Sequence, residues 1–220
     1  MLPFDLLLVS DRASAQRARR TVVETIALAL RDLDARRVAV LLRDKQSPVA
    51  DVAAQLEALA SITARAGALL LVHSYPDLAI SLNLAGVHVA SRVDVQDARD
   101  RLAPGMLLGA SRHVDDPLDA SDLGLADYAT ISPIFSPTSK PGDRRPTLGL
   151  AGLSACVRRS VRPLVALGGI QPDRIRDLML AGAEAIAISG AVMQAPDPAQ
   201  IVRDCLTEIE KGRSLSDTEC

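Results

Sequence analysis

Tryptophan is absent from this chain, and tyrosine and phenylalanine number two each. A core without aromatic bulk has to be aliphatic, and hydrophobic residues do fill 48% of the 220 positions, mostly as alanine, leucine, valine and isoleucine. That composition suits parallel strands covered on both faces by helices. Cysteine is scarce as well. Cys156, Cys205 and Cys220 form no close pair, which argues against a disulfide framework and against a cysteine-rich metal site. Neither sign of charge is in excess: 25 Lys and Arg face 27 Asp and Glu, a formal net charge of -2. The broad basic surface that holds nucleic acid is missing, so no nucleic-acid partner is expected. A local site for a small phosphate is compatible with this balance. No apolar stretch reaches membrane-spanning length. The opening, MLPFDLLLVSDR, has no basic segment and carries Asp5 inside its apolar run. It reads as a first buried strand rather than as a targeting segment. A cytoplasmic location with no membrane partner is the expectation.

Short aliphatic runs recur with helical patterns between them. Strands are expected at Leu6–Ser10, Arg37–Leu42, the run ending at His73, Gly86–Ala90, Met106–Ala110, Tyr128–Ser132, Pro163–Gly169 and Glu184–Ser189. The first helix is placed near Arg17–Leu33, with Val22, Val23, Ile26, Leu30 and Leu33 on its apolar side. The second is placed at Val49–Ala66, and further helical segments follow each later strand. The last runs from about Asp197 to Glu210. Eight strand-helix units at nearly even spacing, with no composition shift between them, predict an α/β fold. The architecture is a single eight-stranded β/α (TIM) barrel over residues 1–211, followed by a polar tail at 212–220. A doubly wound open sheet uses the same local pattern and is the alternative. In both, function sits at the C-terminal ends of the strands.

The polar residues at those ends are therefore the candidates. Arg43 and Lys45 leave the second strand two positions apart and so point to one side, fit to clamp a phosphate or pyrophosphate. The competing reading is a charged loop balanced by Asp44. His73 ends the third strand, where it has a ligand to touch, a proton to exchange or a core to fill. His88 lies inside its strand and reads as a satisfied structural histidine. The three histidines lack close metal-ligand spacing. Ser111, at the end of the fifth strand, has a hydroxyl to donate to an anion. Gly168 and Gly169 close the seventh strand, and Ser189 and Gly190 the eighth. Glycines let a backbone approach an anion with its N–H groups exposed, helix N-termini add favourable partial charge, and these two loops are a frequent phosphate site in such barrels. Between strand six and the next helix lies ISPIFSPTSKPG, residues 131–142. Pro133, Pro137 and Pro141 restrict its backbone, and Thr138, Ser139 and Lys140 give it an anion-friendly tip.

In order and spacing, VLLRDK, DLAISLNLAGVHVA, LLGASRH, ADYATISPIFSPTSKPG, LGLAGL, PLVALGGI and GAEAIAISGAV resemble the thiamin phosphate synthase and thiazole tautomerase superfamily. The resemblance runs from LLLVSDR to AISGAVMQAPDP. It implies a β/α barrel whose synthase members join two heterocycles. A hydroxymethylpyrimidine diphosphate loses pyrophosphate with magnesium assisting, and the nitrogen of a thiazole phosphate captures the pyrimidine methylene to give thiamin phosphate. It also implies that Arg43 and Lys45 contact pyrophosphate together with Ser111 and Lys140. By the same resemblance Ser139 would face the substrates, and Gly169, Ser189 and Gly190 would cradle the thiazole phosphate.

Several positions depart from that pattern. Leu41 stands where the synthases have glutamine, and His73-Ser74 where they have Asn-Asp, the aspartate being a magnesium ligand. Val93 takes the place of a second magnesium carboxylate, with Asp94 one residue away. Pro137 stands at an expected hydroxyl, and Pro133 at the histidine of the tautomerases. Three readings stay open. The leading one is a barrel that binds a thiazole phosphate or a thiamin phosphate-like precursor, with isomerisation as its open chemical step, His73, Ser111, Ser139 and Lys140 as catalytic candidates and no cofactor required. The second is an active synthase with Mg2+. The third is a non-enzymatic phosphometabolite-binding barrel. The aliphatic helix surface leaves room for a homodimer.

Overall fold

The computed structural model describes residues 1–91, 93–136 and 146–216. Eight strands are present: β1 (Leu6–Val9), β2 (Val38–Leu42), β3 (Leu69–His73), β4 (Gly86–Val89), β5 (Leu107–Arg112), β6 (Tyr128–Ile131), β7 (Leu164–Leu167) and β8 (Ala185–Ile188). Each is parallel to its neighbours in chain order, and β8 returns to β1 through Leu6↔Ile186, Leu7↔Ala187 and Leu8↔Ile188. The sheet is closed, so the fold is a single TIM barrel and the open-sheet alternative falls.

Period-two alternation explains why nearly every strand residue is apolar. One parity, including Leu6, Leu8, Val40 and Val72, packs outward against the helices. The other, including Leu7, Val9, Leu41, Leu71, Tyr128, Val165 and Ala187, fills the barrel interior. Burying each such aliphatic side chain stabilises the fold by about 1.5–3 kcal/mol. Two residues beyond the top of this interior plug, the same parity reaches Arg43 from Leu41, His73 from Leu71, Thr130 from Tyr128 and Ser189 from Ala187. Polar groups thereby crown an apolar plug at the C-terminal mouth.

The helices are α1 (Arg12–Arg17), α2 (Val22–Ala29), α3 (Val49–Ala66), α4 (Pro76–Ser81), α5 (Val95–Asp100), α6 (Ala120–Leu123), α7 (Gly149–Arg159), α8 (Ile175–Leu180), α9 (Gly190–Met193) and α10 (Pro198–Ser216). The helix expected at 17–33 is the shorter α2, and a separate α1 precedes it, sharing only Arg17 with the expected span. Asp11 caps α1 by accepting the Ser14 N–H, and Arg19 sits at φ 56° between the helices. Thr21 then starts α2 with a reciprocal cap: the Glu24 N–H donates to its hydroxyl at 3.1 Å, and its own N–H donates to the Glu24 carboxylate at 2.7 Å. The expected apolar side belongs to α2, where Val22, Ile26 and the C-cap Leu30 are all buried.

Residues 212–216, expected as polar tail, continue α10. Gly212 lies so close to α8 that a Cβ there would come within 2.6 Å of the Met179 Cβ. Arg213 reaches the Asp5 carboxylate at 2.6 Å and the Glu184 carbonyl at 3.1 Å. Arg37 pairs with the same Asp5. These bonds tie the end of the chain to the bottom of β1. Residues 217–220 lie outside the described residues. No helix among the described residues is long and apolar enough to cross a membrane.

Candidate functional site

A cavity of about 230 Å³ opens at the C-terminal mouth of the barrel. Arg43, Lys45, His73 and Ser111 line it, as do Gly168, Gly169, Ser189 and Gly190. Ser139 and Lys140, with Thr138, Pro137 and Pro141, lie outside the described residues.

The β2 end is held from β1. Ser10 is buried; its hydroxyl accepts the Arg43 N–H at 2.7 Å and donates to the Arg43 carbonyl at 3.3 Å. Arg43 makes no ion pair among the described residues. Asp44 is not its counter-ion, because that carboxylate is turned into its own loop. It accepts the N–H groups of Gln46 and Ser47 at 3.0 Å each and the Ser47 hydroxyl at 2.7 Å. Burial works against its charge, but these donors outweigh burial and hold its pKa at about 2. The reading in which Asp44 balances the two cations is thus not supported by the bonds it makes.

His73 is 5% exposed. Burial, with the charges of Lys45 and Arg43 added, depresses its pKa to about 4. At neutral pH it is an uncharged imidazole, with Nδ1 2.8 Å from the Ser74 hydroxyl. Deeper in the barrel, His88 places Nδ1 3.2 Å from the Tyr128 hydroxyl and Nε2 3.0 Å from that of Ser111. Arg112 is buried beside them, where its guanidinium bonds Asp122 at 2.6 Å and the Ser111 carbonyl at 2.7 Å. Sequence reasoning passed over Ser10, Thr130 and Arg112. For Thr130 the signal was available, because it is two residues beyond Tyr128 on the inward parity.

At the β7 end, Gly168 and Gly169 have φ of 104° and 65°. A Cβ on Gly169 would stand 2.6 Å from the Phe135 carbonyl oxygen and 2.7 Å from that of Ser136. The β6 loop packs directly on this turn, with the Ile134 N–H on the Leu167 carbonyl at 3.0 Å and the Phe135 N–H on that of Gly168 at 2.9 Å. These glycines therefore have a steric reason for being there. Ser189 is the N-cap of the four-residue α9, but its side chain does not cap it. Pro133 is buried and lines the cavity.

Magnesium, which the resemblance brings with it, needs hard oxygen ligands. Asp11 is the one carboxylate among the described lining residues, and it is engaged in capping α1. Asp94 does not turn inward. It is exposed, and it caps α5 by accepting the Gln96 N–H at 2.7 Å and the Asp97 N–H at 3.3 Å. Among the described residues no group of three or more His, Cys, Asp or Glu is placed to hold a metal. This donor set does not fit magnesium.

Comparison with known proteins agrees with the barrel. A family model described as thiamine monophosphate synthase matches residues 6–192. The thiamine-phosphate synthase of Methanoculleus marisnigri is 33% identical over 213 residues, covering 96% of this chain and 98% of the relative. That of Albidiferax ferrireducens is 35% identical over 195 residues, covering 88% and 86%. The solved thiamine phosphate pyrophosphorylase from Pyrococcus furiosus superposes with a TM-score of 0.78 at 26% identity, covering 96% of this chain and 97% of that one. With a matching family model over most of its length and relatives above 30% identity across nearly all of it, the chain belongs to the thiamine monophosphate synthase family.

Proposed function

We propose that this barrel is a thiamin phosphate-forming transferase, joining a hydroxymethylpyrimidine diphosphate to a thiazole phosphate at the mouth of β1–β8. One observation carries the reading. A single cavity is lined both by the cations Arg43 and Lys45 and by the glycine-serine ends of β7 and β8, in a chain whose family is that of the synthases. Two phosphorylated substrates need two anion seats.

In the proposed step, the thiazole nitrogen forms a bond to the pyrimidine methylene carbon while the bond from that carbon to the diphosphate oxygen breaks. Both electrons of the broken bond leave with pyrophosphate. The leaving charge has to be absorbed for the bond to break. Arg43 and Lys45 are the groups of the described site that do so, Arg43 from a backbone fixed by Ser10. His73 contributes no charge, and as a neutral imidazole it is a hydrogen-bonding neighbour of the leaving group.

Incubating the purified chain with both substrates, then separating the products, tests this. Thiamin phosphate above a no-enzyme control is the expected result; its absence under conditions where thiazole phosphate binds would reject it. That second outcome is the binding-only reading, which the outward turn of Asp94 favours. Isomerisation is less well supported. Pro133 occupies the tautomerase histidine's place, and His73, with a pKa near 4, is a weak base at neutral pH.

A further inference from the structure

Inside the barrel, Tyr128, His88 and Ser111 form a line that ends at the cavity. Tyr128 is fully buried, and among the described residues its hydroxyl has one partner, His88 Nδ1 at 3.2 Å. If Nδ1 carried the imidazole proton, it would donate to the phenol oxygen and leave the phenol O–H without an acceptor in a dry interior. Such an orphaned donor costs about 1–3 kcal/mol. The phenol therefore donates, Nδ1 accepts, and a neutral ring carries its proton on Nε2. Nε2 lies 3.0 Å from Ser111 Oγ and 3.4 Å from Thr130 Oγ1. Having accepted that proton, Ser111 has its own O–H left to give, and the residue lines the cavity.

We infer that Tyr128 and His88 are positioning residues, a fixed relay that turns the Ser111 O–H toward an anion in the cavity. The role of Ser111 rests on the transferase reading; the direction of the relay does not. The surroundings favour it. A Cβ on Gly109 would come within 2.4 Å of His88 Nδ1 and 2.5 Å of the Tyr128 oxygen, so the pair occupies space that only glycine leaves. Burial, aided by His73, Arg112 and Arg43, pushes the His88 pKa down to about 3, which keeps the ring neutral and the pattern of donors constant through the physiological range. A chain of such bonds polarises each member, strengthening the final donor.

Two measurements on the full chain test the relay. Nitrogen NMR of the ligand-free, 15N-histidine-labelled protein reads the tautomer of His88 directly. The proton is expected on Nε2, with that pattern lost or mixed in Tyr128→Phe. A wild-type proton on Nδ1 would overturn the proposal. Titration with inorganic pyrophosphate reads the consequence. Ser111→Ala is expected to weaken binding about tenfold, the cost of one charge-assisted hydrogen bond, and Tyr128→Phe several-fold. The double variant should bind no more weakly than Ser111→Ala, because Tyr128 acts through Ser111. Independent, multiplying losses, or an unchanged Tyr128→Phe, would contradict the relay. Should the wild type bind no pyrophosphate at all, the anion role of Ser111 falls with the transferase reading, while the NMR spectrum still decides the direction of the relay.

Discussion

Arg43 and Asp94 are charged residues with different places, one at the cavity and one at a helix cap. Arg43 is tied by its backbone and lines the cavity. Arg43→Ala should weaken inorganic pyrophosphate binding by tenfold or more, since a hydrogen bond to a charged group contributes about 1.5–3 kcal/mol; calorimetric titration checks it, and an unchanged affinity would remove Arg43 from the site. Asp94 caps α5 instead of facing substrate. Asp94→Ala should therefore lower stability by about 1 kcal/mol, the usual value of an N-cap, and leave turnover unchanged. A collapse of turnover without a change in melting temperature would instead mark Asp94 as part of the reacting site. Spacing alone made Arg43, His73 and Ser111 legible as strand-end residues. It did not reveal which way Asp94 turns, because a carboxylate one position past the family pattern serves equally well as a cap or a ligand until the loop is seen. His88 was read as structural, and its bonds to Tyr128 and Ser111 became visible only when residues 23 and 40 positions away were brought beside it.

Among the elements, the eight strands and α3 fall where their apolar patterns place them. The first helix does not. Val22, Ile26 and Leu30 all follow the Thr21–Glu24 cap, so their apolar side marks α2 alone and carries no signal of the separate α1 before it. The end of α10 was misplaced for a related reason. GRSLS is polar by composition, yet Gly212 and Arg213 are held by Met179, Asp5 and Glu184 from distant elements. The β6–β7 junction yields a prediction at this scale. Gly169 combines a left-handed φ with two carbonyl oxygens where a Cβ would go. Gly169→Ala should cost about 2 kcal/mol or more, from the conformation and from the displaced loop together. It should also weaken phosphate binding, as urea unfolding and titration of the same sample would show. A variant as stable as the parent would contradict the packing of the loop on this turn.

For the whole molecule, two buried neutral histidines at the barrel's upper end make stability depend on pH. An unfolded histidine takes its proton near pH 6.5, whereas His73 and His88 wait until about 4 and 3. Between those values the unfolded state binds more protons, so stability falls as pH falls, from about 6.5 downward, and the loss levels off below the folded values. From pH 7 to pH 5 each histidine removes on the order of 2 kcal/mol. Urea unfolding at the two pH values should show that loss, and His73→Asn should reduce it; equal stabilities would mean that neither ring is held neutral. The same architecture that buries these rings sets an apolar plug beneath a crown of polar ends, and closure of the sheet brings the β2 cations and the β7 and β8 glycines to one cavity. Product formation tests that convergence. With both substrates in one sample, thiamin phosphate and pyrophosphate should rise together, one for one, and both should fall in Arg43→Ala. Bound thiazole phosphate with neither product would contradict it.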